Sequence, residues 1–376
     1  MKAKVIWHVA GYTRNFGDFV LIESIRQNLR DQSDIPLEFV NIDCQNTHFY
    51  NEVIEKLNKE ADLLLIGGGG FVFHRHEDNS ISGWQWSIFE DNIYKIKVPI
   101  VVYGIGFNKF FYDDRGFKEN MNINLRVTQE CSKLFSVRNY GTKNELVNRG
   151  LVEKGIEVIP DAGMFLKGEY IDIPELNNDR MKIGLNFVED RPYYTYPEIS
   201  VDTRKIVINN LIIALKYYVK NYDALIINIE HILDLDKDVN NILKKELGKN
   251  FYSLTEIGSK IYPPSLLYAP FLVNIYEKMD FVIGMRGHSN IIPFGRGIPF
   301  IALGSHDKNR FFLEDIGEDY IIDIRNYKNS CESERIIEII DKLKNDTAYY
   351  ARTSIKRSTN NSLFINFNQK VLDLLM

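Results

Sequence analysis

The sequence predicts an α/β protein of two Rossmann-like domains facing a cleft, each built on a doubly wound parallel sheet. Short apolar runs alternate with helix-period stretches along the chain, and most of the runs end in glycine or polar residues. Parallel strands buried on both faces read this way. The alternation breaks at Tyr170–Arg180, where IDIPELNNDR is polar and carries a proline and two asparagines, the composition of a linker. At 376 residues the chain also exceeds the roughly 250–300 residues at which a single core stops growing. The expected units are residues 1–170, residues 181–350, and a C-terminal helical segment, 351–376, in a position to cross back to the first.

In the first half, Lys4–Val9 reads as a strand. A polar loop to Asp18 follows, then a helix from Phe19 to Leu29, whose Val20, Leu21, Ile22, Ile25 and Leu29 recur at helical spacing. Further strands are expected at Leu37–Ile42, Leu63–Ile66, Ile100–Tyr103 and Leu134–Arg138, with helices at Val53–Leu57 and Gly141–Arg149. The third strand should stop at the tetraglycine Gly67–Gly70 and the fourth at Gly104-Ile105-Gly106; Val158–Asp161 closes this half. Beyond the linker, strands at Met181–Phe187, Ala224–Ile229, Phe281–Ile283, Phe300–Leu303 and Tyr320–Ile322 alternate with helices. Those helices are placed at Val207–Val219, Val239–Leu247, Leu266–Lys278, Ile291–Phe294 and Ile336–Leu343, with a terminal one at Asn366–Leu375.

Composition narrows the function. With 45% hydrophobic and 26% charged residues this is an ordinary soluble globular chain. A net charge of −5 argues against general nucleic-acid binding, so any affinity for an anion has to come from a local cluster. No apolar run approaches the roughly 20 residues that span a bilayer, and the start, MKAKVIWHVAGY, lacks the apolar centre of a signal peptide. The separated Cys44, Cys131 and Cys331 read as reduced residues of a cytosolic protein. His74 and His76 would share one face of a strand, but no third ligand follows at a usual spacing; a solvated loop is the expectation, and no metal.

The stretch from Phe281 to Lys308 is the expected working centre. Its first strand delivers Arg286, Gly287, His288 and Ser289 to a carboxyl edge, and its second delivers Ser305, His306 and Lys308 to the same edge, where open α/β sheets bind ligands. Cations, an imidazole and turn N–H groups meeting there suit an anionic, phosphate-bearing substrate. Arg286 and Lys308 are read as anion-binding, with a solvated lysine as the plainer alternative for Lys308. His288 is read as an acid–base group, against a histidine merely packed on the turn. Arg138 ends a strand at the ligand edge and suits a phosphate or carboxylate, against a surface ion pair. Asn15 and Asp18 precede a helix; Asp18 is by default its N-cap, and alternatively the pair holds an acceptor hydroxyl. Gly68 and Gly69 lie in a run that lacks the P-loop lysine; it either lets a ligand approach the backbone or simply makes a tight turn. Trp84, Trp86 and Tyr193 either stack on sugar faces or belong to the core.

The motifs NFGD, LLIGGGG, YGIG, SVR, IPDAG, GMRGH and ALGSHDK occur in that order from Asn15 to Lys308, and the ordered set resembles the polysaccharide pyruvyl transferase family. The resemblance implies a glycosyltransferase-B-like fold and transfer of the enolpyruvyl group of phosphoenolpyruvate onto a sugar, giving a pyruvate ketal and phosphate. It carries donor binding and catalysis onto Arg138, Arg286, His288 and Lys308. Two positions depart from the family pattern: Asn139 stands where an aspartate usually follows the SVR arginine, and Gly287 where a leucine usually separates Arg286 from His288. No cofactor beyond the donor is implied. The partners expected are phosphoenolpyruvate and a sugar or lipid-linked glycan precursor of a cell-surface polysaccharide. The location expected is the cytoplasm, at the inner membrane face if the acceptor carries a lipid. A glycosyltransferase of the same fold using a nucleotide-sugar is the alternative, and a catalytically idle scaffold a third.

Overall fold

The strands form where β-branched and aliphatic residues run together, and they assemble into two sheets rather than one. The computed structural model describes residues 2–12, 15–73, 81–109, 119–150, 155–188, 201–232, 237–258, 268–304 and 306–376. In the first half, β1 (Lys4–Ala10), β2 (Leu37–Asp43), β3 (Leu63–Phe73), β4 (Ile100–Asn108), β5 (Leu134–Val137) and β6 (Glu157–Val158) lie in the order β2-β1-β3-β4-β5-β6. In the second, β7 (Lys182–Asn186), β8 (Leu225–Asn228), β9 (Phe251–Ser253), β10 (Phe281–Gly284), β11 (Phe300–Gly304) and β12 (Ile321–Asp323) lie in the order β12-β11-β10-β7-β8-β9. Every pairing within both sheets is parallel. Strand order reverses between β1 and β3 and again between β7 and β10. Each reversal opens a crevice at a carboxyl edge, which is where such sheets take ligands.

Helix α1 (Phe16–Gln32) joins the halves. Its Leu21, Ile25 and Leu29 pack with Ile6, Leu65 and Tyr103 over the first sheet. Its Phe16, Phe19 and Val20 instead enter the core of the second half, with Ile227, Tyr268 and Val282. The Phe16 N–H donates to the His231 carbonyl at 2.9 Å. Asn15 is the N-cap, its side chain accepting from the Gly17 N–H. Asp18 is therefore not the cap expected for it: the helix begins earlier, because Phe16 has an apolar partner in the other half, and this puts Asp18 in the first turn.

Other differences have similar causes. Strand β3 runs through the four glycines to Phe73 instead of stopping at them, pairing onward with β4 across an irregularity between Gly69 and Val72. Gly67 and Gly69 have φ of 124° and 97°, a region that other residues avoid. The helices α2 (Asn51–Glu60), α3 (Glu119–Cys131), α4 (Tyr140–Asn148), α5 (Val201–Tyr222), α6 (Lys237–Leu247), α7 (Ala269–Glu277), α8 (His288–Arg296), α9 (Asp307–Ile316), α10 (Ser333–Lys344) and α11 (Tyr349–Asp373) complete the layers. Of these, α3 and α9 had no sequence expectation, and α11 is far longer than Asn366–Leu375. Phe364, Phe367 and Val371 of α11 pack in the core of the first half, and Asn368 accepts a hydrogen bond from Tyr103. Trp84 and Trp86 are fully buried in the first core, so neither is a platform for a sugar. Among the described residues no helix is long and apolar enough to cross a membrane.

Candidate active site

The two carboxyl edges enclose a cavity of about 230 Å³, on the scale of a small metabolite. The first half lines it with Asn15, Asp18, Gly68, Gly69 and Arg138, the second with Arg286, Gly287, His288 and Lys308. All of these were expected at the site. Ser305 lies outside the described residues, as do His74, His76 and Tyr193.

His288 stands at the centre. It opens α8, and its imidazole is 8% exposed. Nδ1 is 3.5 Å from Asp18 Oδ1, and Nε2 is 3.7 Å from Asp161 Oδ1, so a carboxylate faces each ring nitrogen. Both come from the first half of the chain, while the imidazole comes from the second. Gly17 makes the approach possible. A Cβ there would sit 2.7 Å from His288 Cβ and 2.8 Å from Nδ1 of both His288 and His231, closer than packed atoms tolerate.

Arg138 leaves the end of β5 and lies across Gly106, where any side chain would collide with its guanidinium. Its Nη1 donates to Asp161 Oδ2 at 3.2 Å, and the two side chains are 6% and 3% exposed. Asp161 Oδ1 also accepts from the Gly163 N–H at 2.9 Å. Burial by itself raises the Asp161 carboxyl. His288, Arg138 and the Gly163 N–H outweigh it and hold the group well below the usual carboxylate range. The carboxylate missing beside the SVR arginine is thus supplied from the IPDAG turn. Asn139 has another task, capping α4 by accepting from the Thr142 N–H at 2.7 Å.

The turn after β10 is held by side chains bonded to the Arg286 backbone. The Arg286 N–H donates to Asn186 Oδ1 at 3.0 Å, and its carbonyl accepts from Ser289 Oγ at 2.7 Å and Asn290 Nδ2 at 3.2 Å. Ser289 therefore ties the turn together. Gly287 has ordinary helical angles, φ −54° and ψ −51°, so its conformation does not require glycine. A Cβ at this position would meet the Lys308 stem at 3.4–3.5 Å, which places Lys308, the second residue of α9, alongside the turn.

Two groups in this arrangement were not singled out from the sequence as functional. In the sequence Asp161 only closes the first half and belongs to the IPDAG motif, with no role assigned to it. His231, three residues past β8, is fully buried and lines the cavity, with Nε2 2.7 Å from the Tyr276 hydroxyl. Burial first, then Arg286, His288 and Lys308, push its pKa well below the usual imidazole value. Its place at a carboxyl strand end was the one legible signal. The geometry as a whole can bind a multiply charged anion and move a proton through an imidazole poised between two carboxylates.

Among solved structures, the fold is similar to that of MnaA of S. aureus with UDP (13% identity, 93% of this chain and 90% of that one, TM-score 0.58). UDP-GlcNAc 2-epimerase of Methanocaldococcus jannaschii is similar to the same degree (14%, 95% and 99%, TM-score 0.58). So is the glycosyltransferase SnogD of Streptomyces nogalater (12%, 99% and 100%, TM-score 0.56). These likenesses show the glycosyltransferase-B fold. No curated protein matches the chain. A family model described as polysaccharide pyruvyl transferase matches residues 15–307, a span that runs from the N-cap of α1 to the first residue of α9 and takes in both carboxyl edges. By this match the chain belongs to the polysaccharide pyruvyl transferase family, a family of enzymes.

Proposed function

We propose that this protein transfers the enolpyruvyl group of phosphoenolpyruvate onto a sugar of a cell-surface polysaccharide precursor, releasing phosphate and forming a cyclic ketal. One observation carries the reading: an imidazole flanked by two carboxylates shares a small cavity with Arg138, Arg286 and Lys308, in a protein of net charge −5. The donor carries a phosphate and a carboxylate, and that density of cations matches both. Arg286 and Lys308 grip the phosphate and steady it as it leaves. Arg138, neutralised in part by Asp161, orients the carboxylate.

The atoms balance without an outside reagent. His288 gives a proton to the donor methylene, which becomes a methyl group and leaves an oxocarbenium-like carbon. One acceptor hydroxyl bonds to that carbon, and its proton passes through Asp18 to restore His288. The carbon–oxygen bond to phosphate breaks, a second hydroxyl closes the ketal, and the second hydroxyl proton leaves with the phosphate. Asn15 and Asp18, with Gly68 and Gly69 on the cavity wall, hold the acceptor beside the donor. The reaction runs in the cytoplasm, at the inner membrane face where the acceptor is lipid-linked.

The test is incubation with phosphoenolpyruvate and a panel of galactosides and mannosamine glycosides, following released phosphate and the mass of the ketal. Phosphoenolpyruvate should stabilise the protein against heat and uridine or guanosine diphosphate should not; the opposite pattern assigns the site to a nucleotide-sugar. His288→Ala should lower kcat by about 10²–10⁴-fold while donor binding persists. Undiminished turnover would remove His288 from this role.

A further inference from the structure

Three carboxamides on the amino-terminal wall of the cavity, Gln45, Gln85 and Asn108, take no part in the chemistry above. They come from three different segments of the first half. Gln45 sits in the turn after β2, its N–H bound to Asp43 Oδ1 at 3.0 Å. Gln85 is held by its N–H on the Phe71 carbonyl at 3.0 Å. Asn108 is the last residue of β4 and pairs with Phe73 of β3. Their main chains are thus fixed while their side chains border the cavity.

Asn108 Oδ1 is buried and accepts no hydrogen bond among the described residues. A buried carboxamide oxygen left without a donor is destabilising, and native structures keep such groups where something else completes them. A carboxamide both donates and accepts, as a sugar hydroxyl does, and Phe73 beside Asn108 adds an apolar surface. On the wall that β2, β3 and β4 build, the described residues lining the cavity include no cation. Arg286 and Lys308 belong to the opposite half, and Arg138 is engaged by Asp161.

We propose that Gln45, Gln85 and Asn108 extend the acceptor site beyond Asn15, Asp18, Gly68 and Gly69, and that they read an uncharged pyranoside through its hydroxyls. The proposal rests on the transferase reading and names the class of its second substrate. Anion and acceptor then occupy opposite walls, with His288 and Asp18 between them.

The experiment reads glycoside binding directly, on the full chain without donor, by saturation-transfer NMR and calorimetry with methyl galactoside, methyl mannoside and methyl glucuronide. Phosphoenolpyruvate binding is measured in parallel. The neutral glycosides should bind and the glucuronide should bind at least tenfold more weakly. Asn108→Leu, which removes both polar atoms without emptying the space, and Gln85→Ala should each weaken neutral glycosides about tenfold, the loss of one or two hydrogen bonds. Phosphoenolpyruvate affinity should stay within about twofold in each variant, since neither residue lies on the wall carrying Arg286 and Lys308. Gln45→Ala, in a surface turn, gives the same reading if Asn108→Leu fails to fold. Unaltered glycoside binding in the variants, tighter binding of the glucuronide, or no binding of any glycoside overturns the subsite. Failure of phosphoenolpyruvate to bind the unaltered protein overturns the transferase reading instead, and the glycoside measurements stand apart from it.

Discussion

Replacing Asp161 by Asn removes a charge and no heavy atom, so it isolates the electrostatics of the site. Arg138 loses a carboxylate 3.2 Å away and His288 loses one 3.7 Å away. The Arg138 side chain is only 6% exposed, so water cannot replace the missing charge. Removing one partner of a buried ion pair costs about 3–5 kcal/mol. For a unit of 150–250 residues each kcal/mol lowers Tm by about 2–4 °C, so the transition of the first half should fall by about 6–20 °C. The depressed carboxyl also fixes the pH dependence. Its folded pKa lies below the unfolded value, so its stabilisation is complete above the unfolded value of about 3.9. That stabilisation is lost as pH falls from there toward the folded value. The gap between unaltered protein and Asp161→Asn should be constant from neutrality to about pH 5 and close in stronger acid. Calorimetry across pH, on both proteins, gives the number. Arg138→Gln should cost a similar amount, and the double variant less than the sum, because no charge is then buried alone. A single variant within about 0.5 kcal/mol of the parent, or a double variant equal to the sum, would refute the pair.

Three further expectations follow from single contacts. Gly17→Ala places a methyl group 2.7–2.8 Å from His288 Cβ and two imidazole nitrogens. It should cost about 1–3 kcal/mol by overpacking and lower turnover with it, read by thermal melting and phosphate release. Trp84→Ala should cost about 3–5 kcal/mol, since the ring is fully buried and its Nε1 donates to Asn124 Oδ1 at 2.6 Å, read by thermal melting. Asp315 accepts from the Tyr140 N–H at 3.0 Å across the two halves, and burial pushes its carboxyl up to about 6 against the pull of that bond. A raised folded pKa means proton uptake on folding, so this site loses stability as pH rises from about 4 to 6. The melting temperature of Asp315→Asn relative to the parent should climb over that window and then level off.

The alternation of apolar runs with helical spacing was enough to assign two parallel sheets, because burial on both faces forces a strand to be apolar throughout. It also assigned the end of the sheets where Arg138, Arg286, His288 and Lys308 emerge, since parallel strands all expose the same edge. Helix starts were less legible. Phe16 could be assigned to α1 only once its partners in the other half were known, and Asp18 changed from cap to first-turn carboxylate as a result. Trp84 and Trp86 looked the same whether core or platform, because an indole serves both. α9 was missed because a strand-end reading of Gly304–Lys308 leaves no room for a helix that opens at Asp307.

Chain order and residue type by themselves determined the two-sheet architecture, the ligand edge, and the cationic residues gathered there, for these follow from local periodicity and from the polarity of parallel strands. Tertiary structure alone decided that Asp161 pairs with Arg138, that Asp18 and Asp161 flank His288, and that His231 is buried against Tyr276. Those relations join residues 23 to 270 positions apart, and no local pattern encodes them. They arise when α1 inserts into the core of the second half and the two carboxyl edges close on one another.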